Sequence, residues 1–227
     1  MLRNFLLRTP SYLVFAVWGA GIVAALYSLQ HYNSVAGRVG AGVAPVSRCG
    51  TTPAPKPRLT MYVHPHCPCT RASLAEFEKL AVGAQTQSSD LAVEIVVVVA
   101  PGMEPQWRDG TVVRAGETLI RQLAERSADV AVRFDLDAVE AHRIGALTSG
   151  YTTFVSANGD VLFRGGITRS RGHGGDNSGT RALTALLSDR KPEVASTPVF
   201  GCPLFDPEAC ASSEACSSSN AAKGVSQ

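Results

Sequence analysis

The sequence predicts an α/β fold, a mixed sheet flanked by helices, carried behind one N-terminal transmembrane helix. Three observations point there. Short β-branched runs alternate with amphipathic stretches between residues 59 and 190, the pattern of βαβ units. One run, LAVEIVVVVA at 91–100, is apolar almost without a break, which suits a parallel strand covered on both faces. Near the N-terminus, Thr9 to Gln30 carries no charged residue, and Tyr12 to Leu29 is mostly apolar.

That apolar stretch matches the roughly 20 residues a spanning helix needs. Arg3 and Arg8 precede it with no acid to balance them. The positive-inside rule then keeps the N-terminus in the cytoplasm and sends the C-terminal part outward. Residues 1–30 are therefore expected to be a cytoplasmic stub and signal-anchor. A cleaved signal peptide is the alternative, with Ser34-Val35-Ala36 as a passable small-residue site. Its apolar region would normally be only about 7–15 residues. Either way the chain faces an oxidising compartment such as the periplasm, where disulfides persist. Residues 31–58 read as a linker: Gly37, Gly40 and Gly42, then Pro45, Pro53, Pro55 and Pro57. Such a composition is extended rather than folded.

The expected domain spans 59–190. LTMYV is a short strand. Thr70 to Val82 is a helix with Leu74, Phe77 and Ala81 on one stripe and Glu76 and Lys79 off it. The 91–100 run is the next strand, and GETLIRQLAERSA a second amphipathic helix. VAVRF is a strand. Asp137 with Glu140 resembles a capping box, and Gly145 is a helix stop. YTTFVSANGDVLFRG is a hairpin about Asn158-Gly159, a strong turn pair. Gly179 to Arg190 is the last helix, with Leu183, Leu186 and Leu187 inward. Residues 191–227 read as a flexible Ser/Ala/Cys tail, ordered at most around VFGCPLF.

Composition narrows the function. The chain is 45% hydrophobic with a net charge of +2, enough apolar residues for a core and no basic patch. Nucleic acid is not an expected partner. The chemistry is concentrated in HPHCPCT at 64–70. A strand running into a helix that starts near Cys67 puts that thiol against free backbone N–H groups and the positive end of the dipole. Pro68 suits the first helical position. Such a setting favours the thiolate, the reactive form. No acid lies between residues 59 and 75, and Arg71 adds positive charge.

A strand, a cysteine at the head of the first helix and a closing ββα unit resemble the thioredoxin fold. More narrowly, HPHCPC, TSG, FRGGIT, RGHGGDN and FGCPL resemble a membrane-anchored subgroup called RedB-like. The resemblance implies a thioredoxin-like sheet and thiol-disulfide exchange, with Cys67 as nucleophile, Cys69 as its partner and His66 tuning the thiolate. Two departures stand out. Thr70 occupies the place of the second cysteine of Cys-x-x-Cys. The strand facing the site opens Ser149-Gly150-Tyr151-Thr152 where the family has a cis-proline. Pairing with substrate along that edge is thereby put in doubt. A Cys67–Cys69 disulfide would close a small, strained ring, and strained disulfides are easily reduced.

The reading is a membrane-anchored oxidoreductase that needs no cofactor. Its partners would be exported protein thiols or disulfides, a membrane or periplasmic redox partner, and the bilayer. Metal handling is the alternative. His64, His66, Cys67 and Cys69 are ligand types that suit Cu(I) or zinc, with His173 or Cys202 needed to complete a site. A binding module without redox chemistry is the third possibility. Cys49, Cys210 and Cys216 read as structural or unpaired cysteines, His31 and His142 as surface histidines, and Trp107 as a loop anchor. The glycine-rich loop 165–180 lacks the order of a phosphate loop. Arg171 and His173 are its candidate contacts to substrate or thiolate. Finally, Val199, Phe200, Leu204 and Phe205 make an apolar island around Cys202. It is expected to dock near the cysteine helix, where Cys202 could resolve a mixed disulfide or ligate metal. A mere cover for an apolar patch, or a disordered tail, is the competing expectation.

Overall fold

A computed structural model describes residues 11–42, 56–64, 67–87, 91–100 and 129–205. Two compact units are present, divided between Val35 and Ala36. The first contains α1 (Ser11–Ser34). It is long and apolar enough to cross a bilayer, with mean hydropathy 1.7 over Leu13–Ser34. Phe15, Val17, Trp18 and Leu26 lie exposed along it, which suits an apolar solvent.

The second unit is built on β1 (Arg58–Val63), α2 (Thr70–Gln87), β2 (Ala92–Val99), β3 (Asp129–Leu136), α3 (Val139–Ile144), β4 (Tyr151–Val155), β5 (Val161–Gly165) and α4 (Ser178–Leu187). Among the described residues the sheet has five strands in the order β3-β2-β1-β4-β5. β1 runs parallel to β2, and β2 to β3. β4 is antiparallel to both β1 and β5. A parallel βαβ unit on one side of β1 and an antiparallel ββα unit on the other make this a thioredoxin-like mixed sheet flanked by helices.

The period-2 geometry of strands divides the core in two. Leu59, Met61 and Val63 of β1, with Val93, Ile95 and Val97 of β2, meet Leu74, Phe77 and Ala81 of α2 and Leu183 of α4. On the other face Tyr62, Val96 and Val98 pack with Ala141 and Ile144 of α3, and with Val199, Leu204 and Phe205. The hairpin turns at Asn158-Gly159 as expected, with Gly159 at φ 91. The Asn177 side chain caps α4 by accepting from the Gly179 and Thr180 N–H groups.

Three local expectations change. Helix α2 runs to Gln87, past Val82. The N-cap position of α3 is Ala138, and its first-turn N–H groups are satisfied not by Asp137 but by Asp135, whose carboxylate accepts from Glu140 at 3.0 Å and Ala141 at 2.7 Å. Asp135 ends a strand aimed at the helix start, whereas Asp137 is a left-handed turn residue at φ 60. Glu76 is buried rather than off the core. Gly145 does close α3, at φ 77. The expected second amphipathic helix and Trp107 lie outside the described residues.

Two segments flanking the domain also lie against it. The N–H of Gly37 donates to Val199 O at 2.7 Å and that of Gly40 to Gly145 O at 2.9 Å. Downstream of α4, residues 195–197 run beside β5, with Arg164 N–H donating to Ala195 O at 3.0 Å. A Cβ on Gly165 would meet Thr197 O at 2.3 Å, and one on Gly166 would meet Pro198 O at 2.4 Å. The two glycines of FRGGIT therefore let a second backbone approach, which no larger residue would allow.

Candidate functional site: three sulfurs at the head of a helix

β1 lies mid-sheet, so its C-terminal end delivers the chain into the centre of one edge of the domain. The tight turn that follows is closed by Cys67 N–H to His64 O at 3.2 Å and Thr70 N–H to Cys67 O at 3.1 Å. Pro68 and Cys69 occupy the turn and α2 starts at Thr70, so Cys67 sits one turn ahead of the helix rather than at its cap. His66 lies outside the described residues.

Cys67 is almost fully buried, with 3% of its surface exposed, and Cys69 is half-buried. The third sulfur comes from far along the chain. The Sγ atoms of Cys67, Cys69 and Cys202 all lie within 4.8 Å of one another. Among the described residues, neither His64 nor His173 belongs to that group.

The three thiols are electrostatically unequal. Burial opposes ionisation of Cys67, but it is outweighed by hydrogen bonds from the Cys202 thiol, the Thr70 hydroxyl and the N–H groups of Cys202 and Thr70. Its pKa is held below the ordinary thiol value, because donors to a thiolate favour the charged form. Burial, the Cys67 charge beside it and a hydrogen bond with Cys67 push Cys69 up, against the pull of Arg171. Burial, and then its role as donor to Cys67 and the Cys67 charge, raise Cys202 to about 12. Of the three, Cys67 is the thiol that ionises most readily, and it faces two that hold their protons more tightly.

Ser149, just ahead of β4, ties these parts together, and sequence reasoning assigned it no role. Its hydroxyl accepts the His64 N–H at 2.9 Å and shares a hydrogen bond with the Thr70 hydroxyl at 2.8 Å. Its own N–H donates to Cys202 O at 2.8 Å. Next to it Gly150 has φ 90, and a Cβ there would meet Ser73 Oγ at 2.8 Å. The Ser-Gly pair at the start of β4, visible in the sequence only as a missing proline, is what seats Thr70 and Cys202 around Cys67.

The glycine-rich loop contributes through Arg171, whose guanidinium donates to Gly201 O and brings positive charge toward Cys69 and Cys202. His173 is exposed and engages the Arg171 carbonyl at 2.7 Å through Nδ1. Buried Glu76 anchors the loop to α2 by accepting the Gly175 N–H at 2.9 Å. A cavity of about 460 Å³ opens alongside, lined in part by Leu147, Thr148, Arg171, Gly201, Pro203 and Phe205.

No protein-family model matches the chain, and no curated relative does. Solved structures do resemble it. An uncharacterized conserved protein from Geobacillus kaustophilus is 18% identical with a TM-score of 0.50, over 67% of this chain and 78% of that one. A hypothetical protein from Sinorhizobium meliloti 1021 is 17% identical with a TM-score of 0.47, over 66% and 80%. A secreted disulfide oxidoreductase from Mycobacterium tuberculosis is 13% identical with a TM-score of 0.38, over 59% and 81%. At these identities the likeness concerns the fold alone.

Proposed function

We propose that the chain is a membrane-anchored thiol-disulfide oxidoreductase that acts on exported proteins through Cys67-Pro68-Cys69, and that it belongs with the RedB-like subgroup it resembles. The observation that carries this reading is a buried, hydrogen-bonded Cys67 with a lowered pKa, in contact with other thiols at the head of a helix. Thiolate is the nucleophile in disulfide exchange, and donors aimed at one sulfur select which cysteine attacks. Cys67 attacks a substrate disulfide, one substrate thiolate leaves, and a mixed disulfide forms at Cys67. A second thiol of the site then displaces the other substrate sulfur. Thr70 steadies the thiolate, Arg171 supplies positive charge, and His66, next to Cys67 in sequence, tunes it. α1 would hold the domain at the membrane, on the extracytoplasmic side where substrates with disulfides occur.

The test is the pH dependence of Cys67 alkylation in the reduced, full-length protein. A midpoint below the ordinary thiol value of about 8.5 is expected, and one at or above it would sink the assignment.

The three-sulfur cluster also favours a second reading, binding of Cu(I) or zinc, with Cys202, one of the two completing ligands the sequence offers, beside Cys67 and Cys69. That reading predicts about one metal ion per reduced chain and a melting temperature raised by added metal. Absence of both in anaerobically reduced protein would remove it.

A further inference from the structure

We infer that Cys202, not Cys69, forms the working disulfide with Cys67, and that residues 199–205 are a built-in strap that presents it. This inference rests on the oxidoreductase reading and names the second thiol it needs.

The strap is held by backbone pairing at its cysteine and just beyond it. Ser149 N–H donates to Cys202 O at 2.8 Å, and Leu204 N–H donates to Leu147 O at 2.9 Å. Thr148 and Pro203 form an antiparallel bridge between them. Val199, Leu204 and Phe205 are buried in the core on either side of the sulfur. Gly201 lies so close that a Cβ would meet Ser149 O at 2.0 Å. This is strand addition to the stretch that leads into β4, performed by the chain's own C-terminal segment. Strand addition is also how extended peptides dock on exposed edges. An incoming peptide therefore finds the 147–149 stretch already paired, with a cysteine already delivered to the Cys67 sulfur.

The alternative pair is poorly placed to replace it. Cys67 and Cys69 flank one proline within a turn closed by Thr70 N–H to Cys67 O, so their disulfide would close a very small ring. A bond to Cys202 instead joins two packed elements distant in sequence, which constrains the unfolded chain far more. Cys202 also hydrogen-bonds Cys67 directly, through both its thiol and its N–H.

The electron flow balances with a protein disulfide as the oxidant. The Cys67 thiolate attacks R–S–S–R′, the substrate S–S bond breaks, and R′S⁻ leaves and is protonated by solvent. Cys67 is then neutral in a mixed disulfide. Cys202, its sulfur within 4.8 Å of Cys67 Sγ, gives up its proton to solvent as it attacks that sulfur. The Cys67–R bond breaks, RS⁻ leaves and takes up a proton. The substrate gains two electrons and two protons, the Cys67 thiolate and Cys202 thiol lose two electrons and one proton, and solvent supplies the second proton. Run backward, the sequence oxidises a substrate dithiol.

The experiment exposes reduced, full-length protein in detergent to oxidised glutathione and maps disulfides by peptide mass spectrometry over time. A Cys67–Cys202 link is expected to dominate in the native sequence. Cys202→Ala should prolong the Cys67–glutathione adduct about tenfold or more, with Cys69→Ala the weaker of the two. Cys202→Ser repeats the measurement if the alanine variant misfolds, and mapping of the native sequence needs neither. A dominant Cys67–Cys69 link, with Cys202→Ala indistinguishable from the native protein, overturns the strap while the oxidoreductase reading survives. No glutathione adduct at Cys67 in any of the proteins overturns both.

Discussion

The cysteine turn at 67–70 and the strap at 199–205 bring sulfur to the same place by opposite means. The turn does it locally. Its residues are contiguous and its backbone hydrogen bonds span a few positions, while its charge preference draws on Cys202 of the strap and on the Thr70 hydroxyl and N–H beside it. The strap does it through tertiary structure. It has no helix and no long strand, and is held by pairing to residues 147–149 and by three buried apolar side chains. A reactive group can thus be written in a short motif, while its partner is positioned by backbone hydrogen bonds and glycines. The reactivity of the turn should accordingly depend on single side chains, and the placement of the strap on space.

The largest effect that tests this contrast is at the turn. Cys67→Ser should slow reduction of a small aromatic disulfide by about a thousandfold or more, because a hydroxyl is not an adequate nucleophile there. Residual activity close to the native rate would move the nucleophile elsewhere.

Next comes the strap. Gly201→Val forces a side chain into Ser149 O, an overpacking cost of about 1–3 kcal/mol. The melting temperature should fall by several degrees, at about 2–4 °C per kcal/mol for a chain of this size. Cys67 should also be alkylated faster, because the strap covers it. A drop in melting temperature with no change in Cys67 access would show that the strap does not gate the sulfur.

Thr70→Val tests the turn again, with a smaller change. Removing a donor to the thiolate raises the Cys67 pKa toward its ordinary value. The reactive form is populated above the pKa, so the pH profile of alkylation shifts upward and the rate on its rising limb falls. An unshifted profile would assign the lowered pKa to the remaining donors.

The smallest effect is a control away from both regions. Asp135→Ala removes the acceptor for the first-turn N–H groups of α3 and should cost about 1 kcal/mol. Thermal unfolding should report it, while the pH profile of Cys67 stays where it was. A moved profile would mean that the far side of the sheet is coupled to the site.

Much of this was legible in advance. The period-2 runs located β1, β2 and the hairpin because strand faces here divide cleanly between two cores. HPHCPCT was legible because helix-start chemistry is local. Asp135 was missed because capping across a loop depends on where a strand aims its last residues, and Asp137 offered the nearer pattern. Glu76 was missed because its burial is created by the glycine loop, which reaches α2 only in three dimensions. Ser149 had no signal beyond standing where the family it resembles carries proline.

By itself the sequence determined the elements, the apolar N-terminal helix and the position of the cysteine turn, since hydrophobic period, charge pattern and capping act over a few residues. It also marked VFGCPLF as an island that must pack somewhere. Only the tertiary structure decided where. The strap's destination depends on the Ser149 N–H and Leu147 carbonyl that pair with it and on glycines that admit a second chain. Backbone hydrogen bonding leaves almost no trace in side-chain identity, so the meeting of Cys202 with Cys67 could be read only once both were folded into place.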